Sequence, residues 1–249
     1  MTQWLSFDAV PQRFRIVFLL LLALWAGLLF GGAVLGKYDP QTLHRMPRWA
    51  RLSSSLVLVV MAWLLAASWR DETQASFARW IALGMTLGFI GDLFMARILV
   101  KSALYLPFGM GAFALGHLFY LAAMLGWLRH ANDPFWQARF PLILGLWLFI
   151  ATMSWYFLVF RGQEAGPLHF VALGYALLLC AVVAFAMRMS LQQFQFFGLF
   201  VGTLLFMISD MILSTRLFAG ARWSHLGDVV WLFYGTGQML IVTSSTFFR

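Results

Sequence analysis

Charged residues are scarce in this chain, at 10% of its 249 residues, whereas 62% are hydrophobic. A soluble domain usually carries about 25% charged and about 45–50% apolar residues, so this composition excludes an ordinary soluble domain. The mean hydropathy of +0.83 points the same way. We therefore expect an all-α integral membrane protein, for which lipid is the solvent over much of the surface.

Several chemical signatures are also missing. Cysteine occurs once, as Cys180, which excludes an intrachain disulfide. There is no His/Cys/Asp cluster with zinc spacing, no Gly-x-Ser-x-Gly elbow and no P-loop, so we expect neither a metal nor a cofactor. A net charge of +8 would suggest nucleic acid in a soluble protein. Here the basic residues lie at the ends of apolar segments, which favours contact with anionic membrane lipids and no nucleic-acid partner.

Eight apolar runs approach the length of about 20 residues that crosses a bilayer. The runs cover about 15–36, 52–69, 80–97, 105–128, 141–160, 168–187, 194–213 and 229–247. Only short connections separate them, so we expect a single polytopic membrane domain, 1–249, with eight transmembrane helices and both termini on one side. We expect it in a bacterial inner (cytoplasmic) membrane. Lys and Arg divide almost evenly between the two sides, which leaves the orientation open, and the oligomeric state is also open.

A short internal repeat joins the two halves of the chain. Residues 87–95, in the third run, align with residues 205–213, in the seventh. Because the offset is an even number of spans, both copies run the same way through the membrane, as in a 4+4 parallel repeat. The repeat places Asp92 and Asp210 near the same membrane face.

Asp92 and Asp210 are the leading catalytic candidates. An acidic residue inside a span costs about 2.5–3.5 kcal/mol on insertion scales and normally faces the interior of the bundle. Small residues share the helix side of each acid, among them Gly84 and Gly88 before Asp92. Helix packing alone would explain the glycines, but it would not explain an acid among them. Structural aspartates that accept hydrogen bonds from hydroxyl groups are the alternative.

Further polar residues in the fourth, seventh and eighth spans suit the positioning of substrate or water. These are His117, Tyr120, Ser209, Asp228, Tyr234 and Gln238. His117 and Tyr120 share a face at i, i+3, and we expect His117 within reach of Asp92. Asp228 stands where the last span begins, so it is also a candidate N-cap residue.

Four sequence blocks carry a resemblance to a known family. They are Gly91-Asp92, Phe113-(x)3-His117-(x)2-Tyr120, Leu204-Leu205-Phe206-Met207-Ile208-Ser209-Asp210 and Tyr234-(x)3-Gln238-Met239-Leu240-Ile241. In order and spacing the chain resembles the YhhN family of membrane lysoplasmalogenases over about residues 15–247. It departs from the family before the second span, where Arg45-Met46-Pro47 replaces a frequent Lys-Pro.

The resemblance implies a hydrolase that cleaves the vinyl ether bond of lysoplasmalogen. The substrate would be this lysophospholipid, and the products a fatty aldehyde and glycerophosphoethanolamine or glycerophosphocholine. Acid cleaves a vinyl ether by way of an oxocarbenium ion. Glycosidases form a similar cation and use one protonated and one ionised carboxyl group. We hypothesise that Asp92 and Asp210 divide these roles, and which of them is the acid stays open.

Two other function classes remain compatible with the sequence. A transporter or lipid-binding protein also combines a parallel repeat with acids at membrane depth. An intramembrane aspartyl protease also pairs two aspartates, but its Gly-x-Gly-Asp and Tyr-Asp forms are absent here. Proton-coupled uptake without product would favour the first class, and cleavage of a transmembrane peptide would favour the second.

Overall fold

A computed structural model describes residues 12–130, 139–164 and 166–246, and these residues form no β-strand. They form eight long helices. These are α1 (Phe14–Leu35), α2 (Arg48–Ser68), α3 (Glu72–Met95), α4 (Tyr105–His130), α5 (Phe140–Phe160), α6 (Pro167–Gln192), α7 (Phe197–Leu217) and α8 (Leu226–Thr243). The expected all-helical class is therefore confirmed.

Helices α1 to α7 are each long and apolar enough to cross a membrane. Helix α8 is not among these candidate spans. It carries Asp228, Tyr234 and Gln238, and all three side chains are buried. The chain is thus a membrane protein, and the last described helix has no exposed residue. Position 247, the predicted end of the eighth span, and both chain termini lie outside the described residues.

Several helices begin before their apolar runs. Helix α3 begins at Glu72, not near 80, because the Asp71 side chain accepts a hydrogen bond from the Gln74 backbone N–H at 2.9 Å and caps the helix. Helix α2 begins directly after Pro47. Hydropathy marks the part of a helix that meets lipid, whereas caps and backbone hydrogen bonds decide where the helix starts.

Two helix pairs pack closely at glycines. A Cβ atom on Gly84 of α3 would lie 2.8 Å from the Gly116 carbonyl oxygen of α4. A Cβ atom on Gly202 of α7 would lie 2.7 Å from the Gly237 carbonyl oxygen of α8. Only glycine allows the backbones to approach so closely. Gly84 and Gly202 each precede an aspartate by about two helical turns.

Helices α1 and α5 lie at the periphery of the bundle. Their lipid-facing side chains include Leu20, Val34, Leu142 and Phe149, all largely exposed. Each of the two helices contains a π-helical segment near its end, Gly27–Gly31 in α1 and Tyr156–Phe160 in α5. Their inner faces join the core, for example through Leu29 and Trp147, and the remaining helices supply the rest of the packed interior.

Candidate active site

A polar cavity of about 500 Å³ opens where α2, α3, α7 and α8 meet the α1–α2 loop (36–47). Asp92 of α3 and Asp210 of α7 both line it. The cavity lies toward the membrane side on which α3 and α7 end and α4 and α8 begin. Two acids from distant parts of the chain therefore face one polar space below a membrane surface.

The Asp92 carboxylate is buried and held by two hydroxyl groups. Its Oδ2 atom accepts hydrogen bonds from Ser55 Oγ of α2 at 2.5 Å and from the Tyr234 hydroxyl of α8 at 2.9 Å. Only 3% of the Asp92 residue surface is exposed. Two donors on one oxygen fix the orientation of the carboxylate and suit its ionised form.

Asp210 has one hydroxyl partner and a more open setting. The Tyr175 hydroxyl of α6 donates to Asp210 Oδ2 at 2.5 Å. Asp210 is partly exposed because it also lines a second cavity, of about 100 Å³, between α4, α5, α6 and α7. That cavity is almost wholly apolar, with Ala151, Leu179 and Met207 among its walls. Asp210 therefore stands where a polar and an apolar cavity meet.

A chain of buried, hydrogen-bonded side chains supports Asp92 on the side away from the cavity. The Tyr120 hydroxyl donates to Gln238 Oε1 at 2.7 Å, and Gln238 hydrogen-bonds Tyr234, which in turn donates to Asp92. Gly88 makes room for this arrangement, because a Cβ atom there would lie 2.9 Å from Gln238 Nε2. Of these predicted site residues, Tyr234 reaches the cavity wall, while Tyr120 and Gln238 lie behind it.

His117 faces a different neighbour from the one expected. Its Nδ1 atom lies 2.8 Å from the Phe113 carbonyl oxygen and therefore donates to it. Its ring packs edge-on against Phe206 of α7, with 4.4 Å between ring centroids, and against Tyr175 of α6. Among the described contacts of His117 none is with Asp92, so the expected approach to that acid is not seen. The orientation of α4 about its own axis turns the side that carries His117 toward α6 and α7.

Ser209 and Asp228 connect elements around the cavity. Ser209 Oγ donates to the Val230 carbonyl oxygen at 3.0 Å, which links α7 to α8 beside the cavity. Asp228 Oδ2 accepts from the Arg45 backbone N–H at 2.7 Å, and Oδ1 accepts from that of Met46 at 3.0 Å. Asp228 therefore holds the α1–α2 loop in place through both of its oxygens.

Asp228 does not cap its own helix. The N-cap residue of α8 is His225, in the left-handed region at φ 63°, and Asp228 lies in the first helical turn. Its two backbone partners belong to another part of the chain, which no local pattern reveals. The contacts give Asp228 a structural role, and its positioning role stays a prediction.

Residues 50–245 match the model of the YhhN family. The chain belongs to the YhhN family. The matched part contains both aspartates and the hydroxyl groups that hold them, and it leaves out α1. No curated protein and no solved structure matches the chain.

Sequence reasoning missed two residues of this YhhN site, Ser55 and Tyr175. Each is a hydroxyl in the helix that precedes an aspartate-bearing helix, and each contacts that aspartate. For both residues, the signal in the sequence is a polar side chain within an apolar run. Serine and tyrosine are nevertheless common in spans, so this signal does not identify a partner.

The basic residues at the mouth of the YhhN cavity were predicted only as lipid anchors. Arg51 Nη1 lies 2.6 Å from His44 Nε2 in the α1–α2 loop. Burial, together with the nearby Arg51 guanidinium, lowers the pKa of His44 to about 3, so its ring is neutral near pH 7. His44 Nε2 then accepts from Arg51. The His44 Nδ1 atom, 3.6 Å from Asp228 Oδ1, carries the ring proton.

Proposed function

We propose that this YhhN protein is an intramembrane hydrolase that cleaves the vinyl ether bond of a lysoplasmalogen. The products would be a fatty aldehyde and glycerophosphoethanolamine or glycerophosphocholine. The observation that carries the proposal is the position of Asp210, at the junction of a polar and an apolar cavity. In a lysoplasmalogen the vinyl ether joins a polar glycerophosphate group to an alkenyl chain. A molecule lying across the junction brings that bond to Asp210.

We also propose that α8 is an eighth span and that the halves form a 4+4 parallel repeat, with both termini on one side of a bacterial inner membrane. The two hydroxyl–aspartate pairs support the repeat, because Ser55 lies on the second helix of one half and Tyr175 on the second helix of the other. The close glycine contacts recur in the same way, at Gly84 and Gly202.

Asp210 acts as the proton donor in this scheme. It borders the apolar cavity that would hold the alkenyl chain, so it can reach the β-carbon of the vinyl ether. Transfer of the Asp210 proton to that carbon leaves an oxocarbenium ion on the adjacent carbon and the ether oxygen. Asp92, with two hydroxyl donors on one oxygen, is the ionised carboxylate across the polar cavity that stabilises this cation.

Water from the polar cavity then completes the hydrolysis. Asp92 accepts a proton as the water oxygen bonds to the cationic carbon, which gives a hemiacetal. Asp92 returns that proton to the ether oxygen while the hemiacetal hydroxyl gives its proton to Asp210. The carbon–ether oxygen bond breaks, aldehyde and glycerol alcohol leave, and both carboxyl groups regain their starting states. One water is consumed per turnover.

Aldehyde release by purified protein in detergent tests this function. We expect turnover of a 1-alkenyl lysophospholipid and none of the 1-alkyl analogue, which lacks the acid-labile double bond. Asp210→Asn and Asp92→Asn should each lower kcat by about 10²–10⁴-fold, the usual contribution of a general acid or base. Glu72→Gln, which changes an exposed acid away from the cavity, is the matched control and should retain wild-type turnover.

The same preparation separates the alternatives. Wild-type aldehyde release from Asp210→Asn would remove this residue from the mechanism. Cleavage of a transmembrane peptide without lipid turnover would instead indicate a protease. Proton-coupled lipid uptake into liposomes, with no aldehyde formed, would indicate a transporter.

A further inference from the structure

Four arginines line the mouth of the polar cavity: Arg48, Arg51, Arg97 and Arg216. The first two lie in the first turns of α2, Arg97 directly follows the end of α3, and Arg216 lies in the last turn of α7. The only acidic side chains on the same described wall are Asp92 and Asp210, one to two helical turns deeper along α3 and α7. The cavity is therefore basic at its mouth and acidic at its base.

Within the described part of the chain, no carboxylate lies within salt-bridge distance of these four guanidinium groups. Arg216 Nη1 donates to the Thr42 carbonyl oxygen at 3.0 Å, and Arg97 lies over the Tyr105 ring, 4.2 Å from its centroid. Arg51 Nε is buried without a hydrogen-bond partner in the described structure. Asp228, a nearby acid, already accepts two backbone N–H groups.

Asp92 and Asp228 offset only part of this concentration of positive charge, because four guanidinium groups share the cavity wall. Like charges repel, and partial burial strengthens the repulsion because the local dielectric constant is low. The start of α2 adds to the positive potential, since Pro47 provides no side-chain cap for its first N–H groups. An anion at the cavity mouth would meet guanidinium groups from three helix ends.

We propose that the arginine cluster Arg48, Arg51, Arg97 and Arg216 binds the phosphate group of a lysophospholipid substrate. The inference rests on the proposed function, because it assigns the anionic group of that substrate to the same site. Guanidinium groups bind phosphate oxygens through paired, charge-assisted hydrogen bonds. With the phosphate at the mouth, the glycerol extends inward and the vinyl ether reaches Asp210. The chain then enters the apolar cavity.

Binding of non-hydrolysable lipids tests the cluster without any need for turnover. The probes are 1-O-alkyl-glycero-3-phosphoethanolamine and 1-O-alkylglycerol, which share the chain and differ in the phosphate headgroup. We expect wild-type protein to bind the phosphate-bearing lipid at least about 10-fold more tightly, the scale of one charge-assisted hydrogen bond. Arg51→Gln and Arg216→Gln should lose most of this preference and keep the alkylglycerol Kd.

Two further variants distinguish a loss of phosphate binding from misfolding. Arg48→Gln should also weaken phosphate binding, and it has the least structural risk because the Arg48 side chain makes no hydrogen bond among the described residues. Arg161→Gln is the matched control: Arg161 follows α5 on the same membrane side, lies over the Phe157 ring and is absent from the cavity wall. We expect it to bind both lipids like wild type, with unchanged Tm for all folded variants.

Three outcomes would overturn the proposal. Equal wild-type affinity for the two lipids, or full preference in all three cavity variants, would show that the cluster does not bind phosphate. If inorganic phosphate binds as tightly as the phosphate-bearing lipid, the site takes free phosphate and not a lipid headgroup. Phosphate-dependent lipid binding without aldehyde release would refute the hydrolase and support the phosphate subsite. Aldehyde release without headgroup preference would support the hydrolase and refute the subsite.

Discussion

The Tyr175 hydroxyl donates to Asp210 Oδ2 across 2.5 Å, from the helix that precedes the aspartate in the chain. The same relationship recurs at Ser55 and Asp92, also at 2.5 Å. In both cases a neutral hydroxyl orients the carboxyl group, and neither acid forms a salt bridge among the described residues. This arrangement suits the proton exchange that we propose for both acids.

Removal of the Tyr175 hydroxyl should impair turnover more than binding. In Tyr175→Phe the carboxylate that forms when Asp210 gives up its proton loses its described donor. We expect kcat to fall about 10-fold or more, since hydrogen bonds to charged groups are worth about 1.5–3 kcal/mol. KM should change little, because the ring remains as part of the apolar wall. Steady-state aldehyde release gives both constants, and an unchanged kcat would show that this hydrogen bond does not serve the reaction.

Asp92 should tolerate the loss of one donor better than the loss of both. Ser55→Ala leaves the Tyr234 hydroxyl on Asp92 Oδ2, so we expect a smaller fall in kcat than for Tyr175→Phe. The double variant Ser55→Ala/Tyr234→Phe should lose more than the product of the two single effects, because each donor compensates for the other. A double-mutant cycle on kcat measures this coupling. Strictly multiplicative effects would argue against a shared role at Asp92.

Asp228 should matter for stability more than for chemistry. Asp228→Ala leaves two backbone N–H groups of the α1–α2 loop without their acceptor, at about 1–3 kcal/mol each, and should lower Tm clearly. Asp228→Asn keeps one acceptor oxygen and should lie between the alanine variant and wild type, with kcat retained. Thermal unfolding in detergent, alongside aldehyde release, checks both points. Loss of kcat at unchanged Tm would instead support the predicted role of Asp228 in positioning substrate or water.

The close contact at Gly202 should not accept a side chain. A Cβ atom there meets the Gly237 carbonyl oxygen at 2.7 Å and the Ile241 backbone nitrogen at 3.0 Å, and backbone atoms cannot move aside cheaply. We expect Gly202→Ala to destabilise the fold by about 1–3 kcal/mol. Gly174→Ala in α6 is the control, because no atom lies within 4 Å of its added Cβ. Similar Tm values for the two variants would contradict the tight α7–α8 packing.

The apolar cavity should set the preferred chain length. Ala151 lies at the end of this cavity remote from the α1–α2 loop, so Ala151→Phe should shorten the space for the alkenyl chain. We expect kcat/KM to fall for long-chain substrates and to be retained for short-chain ones. Leu146→Phe, on the lipid-facing side of the same helix, should leave the chain preference unchanged. An unaltered chain-length preference in Ala151→Phe would show that the alkenyl chain does not occupy this cavity.

The sequence by itself determined that this is a helical membrane protein, where its apolar helices lie, and that Asp92 and Asp210 face the interior. Those conclusions rest on local properties: hydropathy is summed along a run, and an acid within a span avoids lipid whatever its neighbours are. Family membership followed from the same residues. The roles assigned to the two acids remain a proposal, but their candidacy needed no coordinates.

Only the tertiary structure decided which groups the acids contact. Helical periodicity shows which residues share a face, but it does not show the neighbour toward which that face turns. His117 therefore meets Phe206 and Tyr175 and not Asp92. Asp228 binds backbone groups that lie far away in the chain, and the arginines at the cavity mouth converge from separate helix ends. Hydrogen bonds and ion contacts act over a few ångströms, and the packing of the helices sets distances on that scale.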